Sequence, residues 1–195
     1  PGDVDFPNLD VDATLPKFEI GYKLPLDMMW FEFDGGYSTV DTDAPVAETW
    51  DAWVAELGMG FDFGITSVKL AGHFMENGAF YGAYSPWINI APKYVNGEIK
   101  DNQAYGLLGV VNVKATDMLA FEVGVGYREM EVDGLNNVSI EDSVISYYLN
   151  CVVNIAPGFF VVPELGVVDT DPNDIGEDVQ DDELFYIGAK WQMNF

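Results

Sequence analysis

Nine segments of this chain alternate apolar and polar residues with a period of two: 17–24, 28–40, 50–63, 68–75, 104–114, 119–128, 144–155, 159–167 and 185–195. Successive residues of a β-strand point to opposite faces, so each segment reads as a strand with one apolar and one polar side. In the last of them Phe185, Ile187, Ala189, Trp191, Met193 and Phe195 alternate with Tyr186, Gly188, Lys190, Gln192 and Asn194. No run of about eighteen apolar residues occurs, so the chain encodes no transmembrane helix. The fold class is all-β.

One side of nearly every segment is uniformly apolar, while the other mixes Gly, Asn, Ser, Glu, Lys and Arg. Two architectures satisfy this pattern. A soluble sandwich would bury the apolar face as its core, and a membrane barrel would turn it to lipid and keep the polar face for the lumen. The connections separate them. Tight turns near 26, 65, 116 and 157 alternate with longer acidic loops at 41–48, 76–102, 133–142 and 169–182. Short turns at one end and long loops at the other are what an outer-membrane barrel requires, and a sandwich has no reason to keep so strict an alternation. Closure also answers a backbone problem, because in lipid every peptide group must be paired within the protein.

A length of 195 residues suits one domain, 1–195, with no boundary inside it. It is read as a loop or tail over 1–16, strands over 17–75, a long loop over 76–102 (with a short strand near 87–91) and strands over 103–195. The formal net charge is −25, from 33 acidic and 8 basic residues, so nucleic acid is excluded as a partner for want of a basic face. The single cysteine, Cys151, falls on the apolar face and permits neither an internal disulfide nor a cysteine metal cluster.

The closing strand, with its alternating aromatics and the ending KWQMNF, resembles the C-terminal signature of Gram-negative outer-membrane porins. The resemblance is carried by residues 104–195 and, through strand pattern alone, by 17–74. It implies an antiparallel transmembrane β-barrel in the bacterial outer membrane, a homotrimer contacting lipid and lipopolysaccharide, and passive diffusion of small hydrophilic solutes or ions. It implies no enzyme. It also makes the 76–102 loop the candidate for an inward-folded constriction. Nine strands is an odd number, whereas bacterial single-chain barrels have even counts. The chain therefore either hides a further strand or is the C-terminal part of a larger barrel of about 16 strands. The runner-up readings are a non-conducting barrel that sheathes a partner protein, an outer-membrane barrel enzyme, and a soluble acidic β-protein.

The candidate site residues follow from the polar face. Glu19, Lys23, Glu32, Asp34, Glu56, Asp62, Lys69, His73, Lys114, Glu122, Arg128, Glu164 and Lys190 are the expected pore lining. Charges of both signs on opposing walls would select solutes, and the acidic balance points to cation preference. Phe185, Ile187, Trp191, Met193 and Phe195 form the candidate membrane-insertion signal. Trp30, Trp50, Trp53, Trp87 and Trp191 are expected in interfacial aromatic girdles. Asp169, Asp171 and Asn173 have the first three spacings of an EF-hand loop, but Asp174 stands at its glycine position and Gln180 at its bidentate glutamate. No dedicated metal or cofactor site is expected there, only loose Ca²⁺ or Mg²⁺ at acidic loops. His73 is the only histidine, and Ser67 or Ser85 would be its partner in a catalytic arrangement, although no nucleophile motif surrounds either serine.

Overall fold

The computed structural model describes residues 11–13, 16–42, 49–81, 92–95, 98–133, 139–172 and 182–193. The strands are β1 (Val11–Ala13), β2 (Phe18–Pro25), β3 (Met29–Thr42), β4 (Thr49–Asp62), β5 (Thr66–Glu76), β6 (Lys93–Val95), β7 (Glu98–Lys100), β8 (Asn102–Lys114), β9 (Leu119–Asp133), β10 (Ser139–Ala156), β11 (Phe159–Pro172) and β12 (Asp182–Met193). From β3 onward each strand of the main sheet pairs antiparallel with the next, and β6 and β7 form a separate hairpin inside the connection from β5 to β8. β1 and β2 both pair with β3, at its two ends: Val11 lies opposite Thr42 and Pro25 opposite Trp30. They are two pieces of one edge strand. Pro16, which has no N–H to give a ladder, stands just before the second piece. The expected tail over 1–16 therefore holds a strand at 11–13. Among the described residues β2 and β12 are the sheet's edges, with no pairing between them.

The turns follow their local chemistry. Phe63 N donates to Thr66 O at 2.8 Å, with Gly64 at φ +85°, a conformation glycine adopts without steric cost. Thr116 Oγ1 accepts from Met118 N and Leu119 N at 3.1 and 3.0 Å. At that turn Lys114 Nζ pairs with Asp117 Oδ1 at 2.8 Å. The Lys114 hydrogen bond holds the Asp117 carboxyl below its ordinary 3.8. A depressed carboxyl stabilises the fold above its unfolded pKa, and that contribution is lost as pH falls through the lower folded value. An NMR titration of Asp117 should give a midpoint below 3.8 that returns toward 3.8 in Lys114→Met.

The sheet curls. Glu19 on β2 and Arg128 on β9 line the same cavity of about 590 Å³. In a flat sheet five strand spacings would hold them roughly 24 Å apart. The cavity lies on the concave, inner side, and the apolar alternation faces the convex, outer side. Register carries the outer band from strand to strand: Tyr22–Phe33–Leu57 at one side, Val111–Val123–Leu149–Leu165–Ile187 at the other. These side chains are exposed, Ile187 to 79% and Trp191 to 74%. In water such a surface would cost about 25 cal/mol for every Å² left wet. The apolar face is thus not a sandwich core.

Toward the long-loop end an aromatic row crosses the outer face. Phe18, Tyr37 and Trp53 are register partners, Trp53 packs on Phe74 at 5.3 Å, Phe74 faces Tyr105, and Tyr105 lies 6.3 Å from Tyr127. Beyond this row the polarity reverses. Asp51, Glu131, Glu141, Asp169 and Asp171 stand exposed on the outer side, while Val40, Trp50, Ala52, Met75, Ala104, Met130 and Val132 are buried on the inner side. The first turn of the long connection fills that inner core. Phe80, Tyr81 and Ile99 pack on Val40, Trp50 and Ala52. Asn77, at φ +53°, donates through Nδ2 to Asp51 O and Asp101 Oδ1 at 2.7 and 2.8 Å and accepts from Asn102 N at 3.0 Å, tying both ends of the connection to β4.

Two expectations are corrected here. The 76–102 stretch is not one loop: it carries a helical turn at Gly78–Tyr81 and the β6–β7 hairpin, while the short strand expected at 87–91 lies outside the described residues. The acidic stretch beginning at Asp169 is strand as far as Pro172. Asp169 and Asp171 are paired opposite Ile145 and Ser143 on an extended backbone, which does not curl ligands around one centre as an EF-hand loop does. Asn173 lies outside the described residues.

Candidate functional site: the charged inner wall

Every titratable side chain expected to line a lumen occupies an inner position. Glu19, Lys23, Glu32, Asp34, Glu56 and Asp62 stand on β2 to β4, Lys69 and His73 on β5, Lys114 on β8, and Glu122 and Arg128 on β9. Glu164 and Lys190 share that face on β11 and β12. The structure divides them into zones.

The first zone borders the 590 Å³ cavity. Glu19, Asp34 and Glu56 supply its acidic side, and His73 and Arg128 its basic side, with Tyr81 of the long connection closing over Gly36. Asp34 and Glu56 are direct cross-strand partners, a like-charge juxtaposition that costs stability. Glu56 faces His73, whose Nε2 accepts from Arg128 Nε at 3.2 Å. Nearer the tight turns Lys23 bonds Glu32 at 2.9 Å and sits 4.1 Å from the centre of the Trp30 ring. The second zone, on β9 to β12, is built on Glu122 and Glu164. Tyr148 Oη donates to Glu122 and Tyr186 Oη to Glu164, each at 3.0 Å.

A single device positions these rings. A glycine on one strand leaves room for a ring from its neighbour: His73 over Gly106, Trp30 over Gly60, Tyr148 over Gly124 and Tyr186 over Gly166. A Cβ at Gly166 would fall 2.6 Å from the Tyr186 ring, whereas one at Gly188 meets nothing within 4 Å. Gly166→Ala should therefore destabilise the protein by about 1–3 kcal/mol through overpacking, while Gly188→Ala stays within about 0.5 kcal/mol. Urea midpoints of the two variants in the same detergent measure the difference.

Several expectations are refined. Trp30 and Trp50 are not girdle residues. Trp30 lies on the inner wall, and Trp50 is buried beneath Phe80 at 5.8 Å. Both fall on the inner parity of their strands. Trp53 and Trp191 face outward, and Trp87 lies outside the described residues. Phe185, Ile187, Trp191 and Met193 project outward from β12, and Phe195 lies outside the described residues. Ser67 stands six residues from His73 on β5, roughly 20 Å along an extended strand, too far for a nucleophile and its base. Ser85 lies outside the described residues. Tyr148, Asn150 and Tyr186 belong to the inner wall and were not among the sequence candidates. Their parity opposite Leu149 and Ile187 was the signal that could have found them.

An antiparallel wall with an exposed apolar outer band and a charged inner face is that of a barrel-like all-β fold. No family model and no curated protein matches the chain. Among solved structures it is similar to the outer membrane channel DcaP of Acinetobacter baumannii, with a TM-score of 0.75 and 13% sequence identity over 98% of this chain and 56% of that one. At that identity the likeness shows the fold. The chain spans about half the length of the channel it matches.

Proposed function

We propose that this chain forms the wall of a bacterial outer-membrane channel for small hydrophilic solutes or ions, with preference for cations. The observation that carries the reading is the polarity of the sheet: an uninterrupted outer apolar band bounded by an aromatic row, backed by an inner face with unneutralised charge. Lipid satisfies the first and a water-filled lumen the second. The likeness to an outer-membrane channel supports it. Cation preference rests on Glu19, Asp34, Glu56, Glu122 and Glu164, since Lys23 and Lys114 are already engaged by Glu32 and Asp117. The test is single-channel conductance of the detergent-purified protein in a planar bilayer under a salt gradient. Stepwise openings with a cation-selective reversal potential support the reading. A folded protein that inserts and never conducts would move the assignment to a plugged or scaffolding barrel.

A further inference from the structure

The helical turn Gly78–Tyr81 packs on the inner side of the wall and is fastened at both ends. Asn77 ties its start to β4 and to the start of β8, as described above. The fastening at its end comes from the opposite direction, from the edge of the sheet. Lys17 stands in the break between β1 and β2, where the ladder to β3 stops at Ala13 opposite Val40 and resumes at Phe18 opposite Tyr37. Phe18 faces outward and Glu19 inward, so alternation turns Lys17 inward. Its ammonium donates to the carbonyl oxygen of Phe80 and lies over two rings, 4.5 Å from the centre of Phe80 and 5.2 Å from that of Tyr81. The last carbonyls of a helical turn have no partner within it, and a cation placed there satisfies one of them. The two ring faces attract the same cation electrostatically.

What Lys17 holds borders the inner cavity. Phe80 packs on Trp50 at 5.8 Å, and Phe80 and Tyr81 together lie on Val40 and Ala52. Tyr81 sits over Gly36, where an added Cβ would fall 2.6 Å from its ring. Gly36 is the register partner of Glu19 and of Val54, and Glu19, Val54 and Tyr81 all line the 590 Å³ cavity. The tyrosine ring therefore stands beside one of the carboxylates assigned to cation preference. We propose that Lys17 is a positioning residue: it clamps the end of the turn, keeps Tyr81 at the border of the cavity, and so sets the width of the channel beside Glu19. The proposal rests on the channel reading for its effect on conduction, whereas the clamp itself does not require it.

Thiol modification of Ala52→Cys in a Cys151→Ser background tests the clamp. Ala52 is fully buried beneath the turn, so a small aqueous thiol reagent reaches a cysteine there only when the turn lifts. Ala104 is buried as deeply in the cluster of Met75 and Met130, which packs on Val54 and Val144, and Ala104→Cys serves as the control. In the detergent-purified full chain, Lys17→Met removes a charge-assisted hydrogen bond and two cation–π contacts, and should raise the modification rate at 52 on the order of tenfold. The rate at 104 should not change, and Lys17→Arg, which keeps the cation, should retain the slow rate at 52. In a planar bilayer the single-channel conductance of Lys17→Met should exceed that of the wild type. Equal rates at 52 with and without Lys17, or an equal rise at 52 and 104, would overturn the clamp and leave the channel reading intact. A rise confined to 52 in a protein that conducts no better than the wild type would overturn the role of Lys17 in channel width. A protein that never conducts would sink the channel reading, and the rates at 52 would still decide the clamp.

Discussion

Val123→Arg is expected to destabilise the lipid-embedded protein by roughly 2–4 kcal/mol, the cost of an arginine on the lipid face near mid-depth of a barrel. Val123 faces outward between Val111 and Leu149, near the middle of the apolar band, and is exposed there. Ile145, on the same face opposite Tyr127, lies in the aromatic row, and Ile145→Arg should cost only about 0–1 kcal/mol because the guanidinium reaches the interface. Asn112→Arg, on the inner face opposite Glu122, should be tolerated within about 0.5–1 kcal/mol. A buried protein core would reject arginine at Val123 and Ile145 alike. The dependence on depth is therefore the informative quantity. Urea unfolding from lipid vesicles supplies it, and equal penalties at the two outer positions would count against a lipid-facing surface.

The second large effect concerns selectivity. Glu19 and Glu56 border the inner cavity from β2 and β4, opposite Arg128. Reversing a charge about 8 Å from an ion in water changes its energy by about 1 kcal/mol, with opposite sign for cation and anion. Two reversals, screened by salt over a Debye length of about 10 Å at 0.1 M, should lower the cation-to-anion permeability ratio on the order of tenfold. Glu19→Lys/Glu56→Lys should thus move the reversal potential toward the anion side, and raising the salt should shrink the shift. An unchanged reversal potential would mean that these carboxylates do not face the ion path.

Much of the wall was legible in the sequence because the two faces of the sheet place opposite demands, apolar and polar, on alternate residues. Over 104–114 or 185–193 no other force competes with that alternation, and the inner placement of Glu122, Arg128 and Lys190 follows from parity alone. The rule failed where its cause stops. Beyond the aromatic row Met130 and Val132 turn inward and Glu129 and Glu131 outward, so the apolar-outward pattern ended the strand at 128, short of Asp133, and the expected loop over 133–142 took in the first residues of β10. The same reversal hid the strand character of Asp169 and Asp171. Trp50 was misplaced for a related reason. A tryptophan near a strand end suits a girdle, but this one lies on the inner parity, where Phe80 and Ile99 of the long connection bury it. That connection could not be foreseen from local pattern, because Asn77 and Tyr81 find their partners on β3, β4 and β8.

The most direct test is cysteine scanning along β9 in a Cys151→Ser background, with single cysteines at positions 121 to 128 of the protein reconstituted in lipid. A small, charged, membrane-impermeant thiol reagent added to the aqueous phase should modify cysteines at the even positions, in place of Glu122, Gly126 and Arg128, and spare those replacing Phe121, Val123 and Val125. Reaction at the odd positions with protection of the even ones, or uniform reactivity along the strand, would contradict an apolar face toward lipid and a charged face toward water.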